Sequence, residues 1–134
     1  VEVDTVGAVA LDGAGALAAG SSTGGVFGKM PGRMGDSAIF GAGHYASKVV
    51  AVVGTGVGEM FLETLACARA AMLIEAGVHP QSACEDVVSL LAERAPLPAG
   101  LLALDRAGRH GAAYRGGSWD VEGPDGPVEA ARLG

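Results

Sequence analysis

The sequence predicts an α+β fold in which antiparallel strand hairpins pack against a pair of helices. Three observations lead to this prediction. Two hairpin-like segments share the pattern Ala-Leu-Asp-x-x-Gly, two helical segments follow each other with no strand between them, and the regular strand–helix alternation of a doubly wound sheet is missing. A chain of 134 residues, half of them apolar, is long enough for one domain with a core of its own.

The first predicted elements form a hairpin. A strand is expected from Thr5 to Leu11, a turn over Asp12–Gly15, and a second strand over about 16–22. Small or apolar residues alternate on both sides of the first strand, so we expect both of its faces to be covered. The glycine-rich segment 22–47 follows and shows no periodicity. It is too long for an idle connection, and ordered loops of this length tend to be functional.

The middle of the chain predicts a buried strand and two helices. The strand is expected over 49–53, followed by a glycine turn and one helix over about 58–75. That helix has two apolar faces, Phe61–Leu65–Ala68–Met72 and Cys67–Ala70–Ala71–Ile74, which predicts a position between two layers. A second helix begins at Pro80 and ends before Pro96.

The last predicted elements are a hairpin and a loop. The hairpin lies within 100–116, with a turn near Arg106–Gly108. The tail from Trp119 onward carries Gly, Pro and Asp and is predicted to be loop.

Charge and composition exclude several classes of function. The net charge is −6 with only nine Lys and Arg, so we expect no nucleic-acid partner. No apolar run is long enough to cross a membrane. The two cysteines do not make a disulfide framework, which predicts a reducing, cytoplasmic compartment. We interpret them as small core residues. No Cys/His spacing matches a metal site, and we expect no cofactor.

Two groups of residues are candidates for binding. Gly54, Gly56 and Gly58 form a G-x-G-x-G turn that could bind an oxyanion or carboxylate through backbone N–H groups, or could be a tight turn only. The dinucleotide pattern G-x-G-x-x-G is not met. Arg33 and Asp36 could bind the carboxylate and the ammonium group of an amino acid, although a surface ion pair is the commoner role of such residues.

Five motifs in this order resemble one family: "DTVGAVALD", "SSTGG", "KMPGRMGDS", "GAGHYA" and "GTGVGE". They are similar to the β-subunit of plant-type asparaginases and isoaspartyl peptidases. These enzymes are threonine N-terminal-nucleophile hydrolases, related to glycosylasparaginase and taspase. The resemblance implies a four-layer αββα sandwich in which residues 1–134 supply the β-subunit half of one domain. It also implies that residues 1–4 end an upstream α-subunit of the same precursor, and that the assembly is a dimer of αβ units.

The resemblance also assigns roles to the residues that match the motifs. Self-cleavage would fall between Asp4 and Thr5, so that Thr5 becomes the nucleophile and its new α-amine the base. Thr23 would tune the Thr5 hydroxyl. Thr55 and the N–H of Gly56 would form an oxyanion hole. Arg33 would bind the substrate α-carboxylate and Asp36 its α-amine, and Gly58 would line the substrate pocket.

Three functions stay open at this point. The first is an autoprocessing amidohydrolase for asparagine, for β-aspartyl dipeptides, or for both. The second is a relative with another substrate, such as a glycosylasparaginase or a taspase-like endopeptidase. The third is a non-catalytic domain that binds a small anion at its glycine turns. The sequence departs from the asparaginase pattern in three places: at Asp4, where plant-type enzymes usually have glycine, at Lys48, and after Tyr114.

Overall fold

The computed structural model describes residues 3–134. Val1 and Glu2, which belong to the predicted end of an upstream subunit, lie outside the described residues. The elements in chain order are β1 (Val3–Leu11), β2 (Leu17–Val26), a 3₁₀ turn (Asp36–Ala38), β3 (His44–Ala46), β4 (Val50–Gly56), α1 (Gly58–Thr64), α2 (Ala66–Glu75), α3 (Pro80–Arg94), β5 (Ala99–Asp105), β6 (His110–Arg115), β7 (Val121–Gly123), β8 (Gly126–Val128) and β9 (Ala131–Arg132). The mixed α and β content agrees with the predicted class.

The described chain forms three layers. A five-stranded sheet in the order β3-β4-β5-β6-β9 lies in the middle, antiparallel except for the β6–β9 pair. One face of this sheet packs against α2 and α3, and the core there contains Val50, Val52 and Leu101. The opposite face of β4 contacts the separate β1–β2 hairpin, where a Cβ added to Gly7 would lie 3.0 Å from Cγ2 of Val53.

Both predicted hairpins are confirmed, and the same turn chemistry forms each of them. The carboxylate Oδ1 of Asp12 accepts hydrogen bonds from the N–H groups of Ala14 and Ala16, at 2.9 and 2.8 Å. The Oδ1 of Asp105 accepts from Ala107 and Arg109 in the same way, at 3.0 and 2.9 Å. An aspartate that binds the backbone two and four residues ahead stabilises the turn through contacts that are local in the sequence. This is why the Ala-Leu-Asp-x-x-Gly pattern was sufficient to predict both hairpins.

The prediction of one helix over 58–75 is wrong. The helix ends at Thr64 and restarts at Ala66, because Leu65 adopts a left-handed conformation with φ 50° and ψ 54°. The N–H groups of the restarted helix bind the segment before β3: Cys67 N donates to Ala42 O and Ala68 N donates to Gly41 O. These tertiary hydrogen bonds satisfy groups that a continuous helix would have bonded internally.

Two faces that the sequence predicts to be covered are exposed in the described part of the chain. The helix face with Leu65 and Met72 is exposed, at 48 % and 67 %, while the face with Cys67 and Ala70 is fully buried. In β1, Val6 is 67 % exposed, so the hairpin β1–β2 is covered by β4 on one side only.

The tail contains three short strands that the sequence did not predict. β7 and β8 pair across a turn over 123–126, and β9 pairs in parallel with β6 at Ala113 and Tyr114. Strands of two or three residues carry too few alternating positions for a periodicity argument. The first strand also begins earlier than predicted, at Val3, and the second runs on to Val26.

Candidate active site

Thr5 and Thr23 lie directly opposite each other in the β1–β2 hairpin, in the register that the Asp12 turn sets. The Thr5 hydroxyl donates to the Thr23 hydroxyl at 3.0 Å, and Thr23 donates in turn to the carbonyl oxygen of Asp4 at 2.7 Å. The N–H of Gly25 also donates to the Thr23 hydroxyl, at 3.0 Å. The Thr23 side chain therefore binds both the predicted nucleophile and the carbonyl of the peptide bond predicted to be cut.

The strand register shifts between Val3 and Thr5. An irregularity at this point interrupts the backbone pairing, so the Asp4 carbonyl accepts a side-chain hydrogen bond from Thr23 instead. The consequence is local to one peptide bond, since regular pairing resumes at Thr5 and continues to Leu11.

A cavity of about 1450 Å³ brings Thr5 together with the end of β4. Asp4, Thr5, Thr55 and Gly56 all line it. Gly56 has no room for a side chain, since a Cβ would lie 2.7 Å from the Pro98 carbonyl oxygen. The predicted nucleophile and the predicted oxyanion-hole residues therefore share one cavity.

Arg33 lies beyond Thr23, in a second and smaller cavity of about 380 Å³ that both residues line. Its guanidinium binds Glu59 through two parallel hydrogen bonds, from Nε to Oε1 and from Nη2 to Oε2, each 2.9 Å long. The hydrogen bond and the charge of Glu59 raise the pKa of Arg33, and Arg33 lowers the pKa of Glu59. Glu59 occupies the Nε edge of the guanidinium and does not use Nη1, so one edge remains for a carboxylate.

Asp36 is buried behind Arg33, with 5 % of its surface exposed. Its Oδ2 has no hydrogen-bond partner among the described residues. Burial raises the pKa of this carboxyl, and the opposing effects of a backbone hydrogen bond and of Arg33 are smaller. An unpaired buried carboxylate is unfavourable, so this group would gain most from a cationic partner such as an ammonium group.

Because Gly58 has no side chain, Arg33 and Asp36 can pack closely against the start of α1. A Cβ at this position would lie 3.0 Å from Nη2 of Arg33 and 3.1 Å from the backbone nitrogen of Asp36. The predicted substrate-binding residues therefore form one cluster. Asp36 and Gly58 lie behind Arg33 and are absent from the described lining of both cavities.

The sequence did not indicate Glu59 as a site residue, because a carboxylate is favourable at the start of any helix. Its partner Arg33 lies 26 residues away, in an irregular loop. No periodicity or motif links two such positions, so only the folded structure could have paired them.

Other titratable residues have structural environments. Cys67 and Cys84 are free and buried, as predicted; burial raises the pKa of both thiols, that of Cys84 to about 12. The His79 ring caps α3 by accepting from the Gln81 N–H, and His44 Nδ1 lies 3.1 Å from the Ser37 carbonyl oxygen. No group of three metal-ligating side chains occurs in the described part of the chain. None of the helices over 3–134 is long and apolar enough to cross a membrane.

Comparison with known proteins gives a consistent result. Residues 1–118 match the family model Asparaginase_2, described as asparaginase. The chain is 48% identical over 112 residues to an isoaspartyl peptidase of Salmonella typhimurium, an alignment that covers 80% of this chain and 35% of that protein. It is 46% identical over 113 residues to a plant-type L-asparaginase of Pyrobaculum calidifontis, covering 83% of this chain and 38% of the other.

A third relative carries a different name. A putative N(4)-(beta-N-acetylglucosaminyl)-L-asparaginase of Drosophila yakuba is 40% identical over 115 residues, covering 84% of this chain and 29% of that protein. In all three comparisons the chain spans roughly a third of the relative's length.

Proposed function

This chain belongs to the Asparaginase_2 family, and on that premise we propose that it carries the nucleophile of an autoprocessing threonine amidohydrolase. The observation that carries the proposal is the hydrogen-bonded series Thr5–Thr23–Asp4. A hydroxyl that must attack the preceding carbonyl has to lie beside it, and a donor on that carbonyl oxygen makes the carbon more electrophilic. Thr23 supplies this donor to the Asp4 carbonyl oxygen and also accepts a hydrogen bond from the Thr5 hydroxyl, which supports the proposal.

Self-cleavage would use these groups as follows. The Thr5 oxygen attacks the Asp4 carbonyl carbon, the C–N bond breaks, and the hydroxyl proton passes to the nitrogen, which becomes the free α-amine of Thr5. Asp4 is then held as an ester on the Thr5 oxygen. Water hydrolyses the ester, releasing an Asp4 carboxylate and restoring the hydroxyl. The new amine is a base with an ordinary pKa near 8, close enough to neutrality to accept a proton from the hydroxyl beside it.

Substrate hydrolysis would then use the same hydroxyl. Thr5 attacks the side-chain carbonyl of the substrate, the amine or ammonia leaves with a proton, and water releases aspartate from the ester. Thr55 and the N–H of Gly56 line the cavity beside Thr5 and would stabilise the oxyanion. Losing one such donor typically costs about a hundredfold in rate.

The proposed substrate is asparagine, a β-aspartyl dipeptide, or both. Both compounds have a free α-carboxylate for the open edge of Arg33 and a free α-amine for the unpaired carboxylate of Asp36. The names of the Salmonella and Pyrobaculum relatives support these substrates. The name of the Drosophila relative favours glycosylasparagine as the second candidate, since that compound also has both free ends.

We propose further that the chain is the β-subunit half of an αββα sandwich, completed by an α-subunit from the same precursor. Its span of about a third of its relatives supports this arrangement, as does the exposed Val6 on β1. The family's pairing into a dimer of αβ units is part of the same proposal.

Replacement of the nucleophile tests the proposal. Thr5→Ala should abolish both cleavage before residue 5 and asparagine hydrolysis, and Thr5→Ser should keep part of each, since one hydroxyl serves both reactions. Ser82→Ala, at an exposed position of α3 outside both cavities, is the control. Intact mass and ammonia release give the two readouts. A Thr5→Ala protein that is cut and active would overturn the assignment, and an intact, inactive wild type would favour the anion-binding alternative.

A further inference from the structure

The segment after β6 forms one wall of the cavity that contains Thr5. Residues 116–129 line this cavity continuously, opposite the end of β4. The match to the family model ends at residue 118. This wall is therefore a part of the site that the proposed family chemistry does not assign.

Within that wall, the side chain of Trp119 is held in place by two packing contacts. Its indole lies against the backbone of Gly100, where an added Cβ would overlap three ring atoms. The ring also stacks on Tyr114, with centroids 6.4 Å apart and planes inclined by 15°. The indole therefore packs against both Gly100 and Tyr114. Gly100 is also the strand partner of Thr55, a proposed oxyanion-hole residue.

The two cavities give the substrate a direction. Arg33 lines the small cavity with Thr23, whereas Thr5 and Trp119 line the large one. Thr5 of the large cavity and Thr23 of the small one are joined by a hydrogen bond. With its α-carboxylate on Arg33 and its scissile carbonyl at Thr5, a substrate has its leaving group on the far side, toward Trp119.

We propose that Trp119 forms the contact surface for the leaving residue of a β-aspartyl peptide, and so favours peptides whose leaving residue is apolar. This inference rests on the proposed function. Asparagine and a β-aspartyl peptide share the same acyl half and differ only in what leaves. Ammonia is too small to contact the indole, whereas an apolar side chain on the leaving residue buries surface against it.

Kinetics with two substrates isolate this contact. Trp119→Ala in the processed protein should lower kcat/KM for β-aspartyl-leucine roughly tenfold, mainly through KM, which corresponds to the loss of a few tens of Å² of apolar contact. Asparagine hydrolysis should stay unchanged. Trp119→Phe should restore most of the activity on the dipeptide, and it also covers the case in which the alanine variant fails to fold. Phe40→Ala, which removes an exposed aromatic ring elsewhere, is the control.

Fluorescence gives a readout that does not depend on hydrolysis. Trp119 is the only tryptophan of the chain, so the difference between wild type and Trp119→Phe isolates its emission. The probes are the ketomethylene analogue of β-aspartyl-leucine, in which CH₂ replaces the scissile NH, and the matching methyl ketone without a leaving residue. We expect the first to change the Trp119 emission and the second to leave it unchanged.

The outcomes separate this inference from the proposed function. If both substrates are hydrolysed and Trp119→Ala affects them equally, or if both analogues change the emission equally, the subsite is refuted while the function stands. If neither substrate is hydrolysed but only the leucine analogue changes the emission, the subsite stands and the proposed function fails.

Discussion

At the scale of single residues, the unusual group is the buried carboxyl of Asp36, whose Oδ2 has no partner among the described residues. Because burial raises its pKa, the folded chain holds this proton more firmly than the unfolded chain does. The associated stability is therefore fully present below the unfolded value near 3.9 and is lost as the pH rises through the raised folded value.

Asp36→Asn should expose this dependence. The asparagine amide does not titrate. The difference in free energy of unfolding, variant minus wild type, should therefore rise from about pH 4 until the raised pKa is passed, and then level off. Urea unfolding between pH 3.5 and 8 measures it, with Asp86→Asn on the exposed face of α3 as the control. A difference that does not change with pH would contradict the raised pKa.

Glu59 belongs to the same scale, because it holds the guanidinium of Arg33 by two hydrogen bonds. If Arg33 binds the substrate as proposed, Glu59→Gln should raise KM for asparagine several-fold and change kcat little, since Glu59 orients Arg33 and would not touch the reacting atoms. Glu59 is 56% exposed, so salt should weaken the effect. Steady-state kinetics at two ionic strengths measure it. Glu63→Gln on the same helix is the control, and equal KM values in the two variants would remove Glu59 from this role.

At the scale of elements, the break between α1 and α2 concentrates backbone strain at Leu65. A left-handed conformation costs a residue with a Cβ about 1–2 kcal/mol, and this side chain is half exposed, so little packing repays the cost. Leu65→Gly should therefore leave the free energy of unfolding unchanged or raise it by up to about 1 kcal/mol. Leu62→Gly inside α1 should lower it by at least about 1 kcal/mol. Equal losses in both variants, measured by thermal unfolding, would show that Leu65 is unstrained.

The elements also show what the sequence could predict and what it could not. The two hairpins were predictable because Asp12 and Asp105 form their turns by bonds to residues two and four positions ahead. The helix break was not, because the acceptors at Gly41 and Ala42 lie more than twenty residues away. The site divides in the same way. The resemblance placed Thr5, Thr23 and Arg33 near one another, whereas Glu59 and Trp119 owe their positions to tertiary contacts.

At the scale of the whole molecule, the β1–β2 hairpin is covered on one side only. A two-stranded hairpin is marginal by itself, and here only β4 and its neighbours cover it. The proposed α-subunit would supply the second cover. We expect amide hydrogen exchange of β1 and β2 to slow at least tenfold when this chain is produced with its upstream segment.

The amides of β4 and α3 are the internal reference for that experiment. Val52 in β4 and Val88 in α3 are already fully buried in this chain, so their exchange should change much less. Unchanged exchange in β1 and β2, or slowing that is uniform across the chain, would show that the upstream segment does not pack on this hairpin.

The hydroxyl of Thr23 has a single proton, and a carbonyl oxygen cannot donate, so that proton points at Asp4. The contact with Thr5 must then use the proton of Thr5. In the proposed mechanism the cut turns the Asp4 carbonyl into a carboxylate, and once that carboxylate leaves, the Thr23 proton would have the Thr5 oxygen as its nearest acceptor. Thr5 would then change from donor to acceptor in this hydrogen bond, and its own proton would be free to move to the new amine. The same pair of hydroxyls would therefore support cleavage with one hydrogen-bond direction and hydrolysis with the other, without any movement of the backbone.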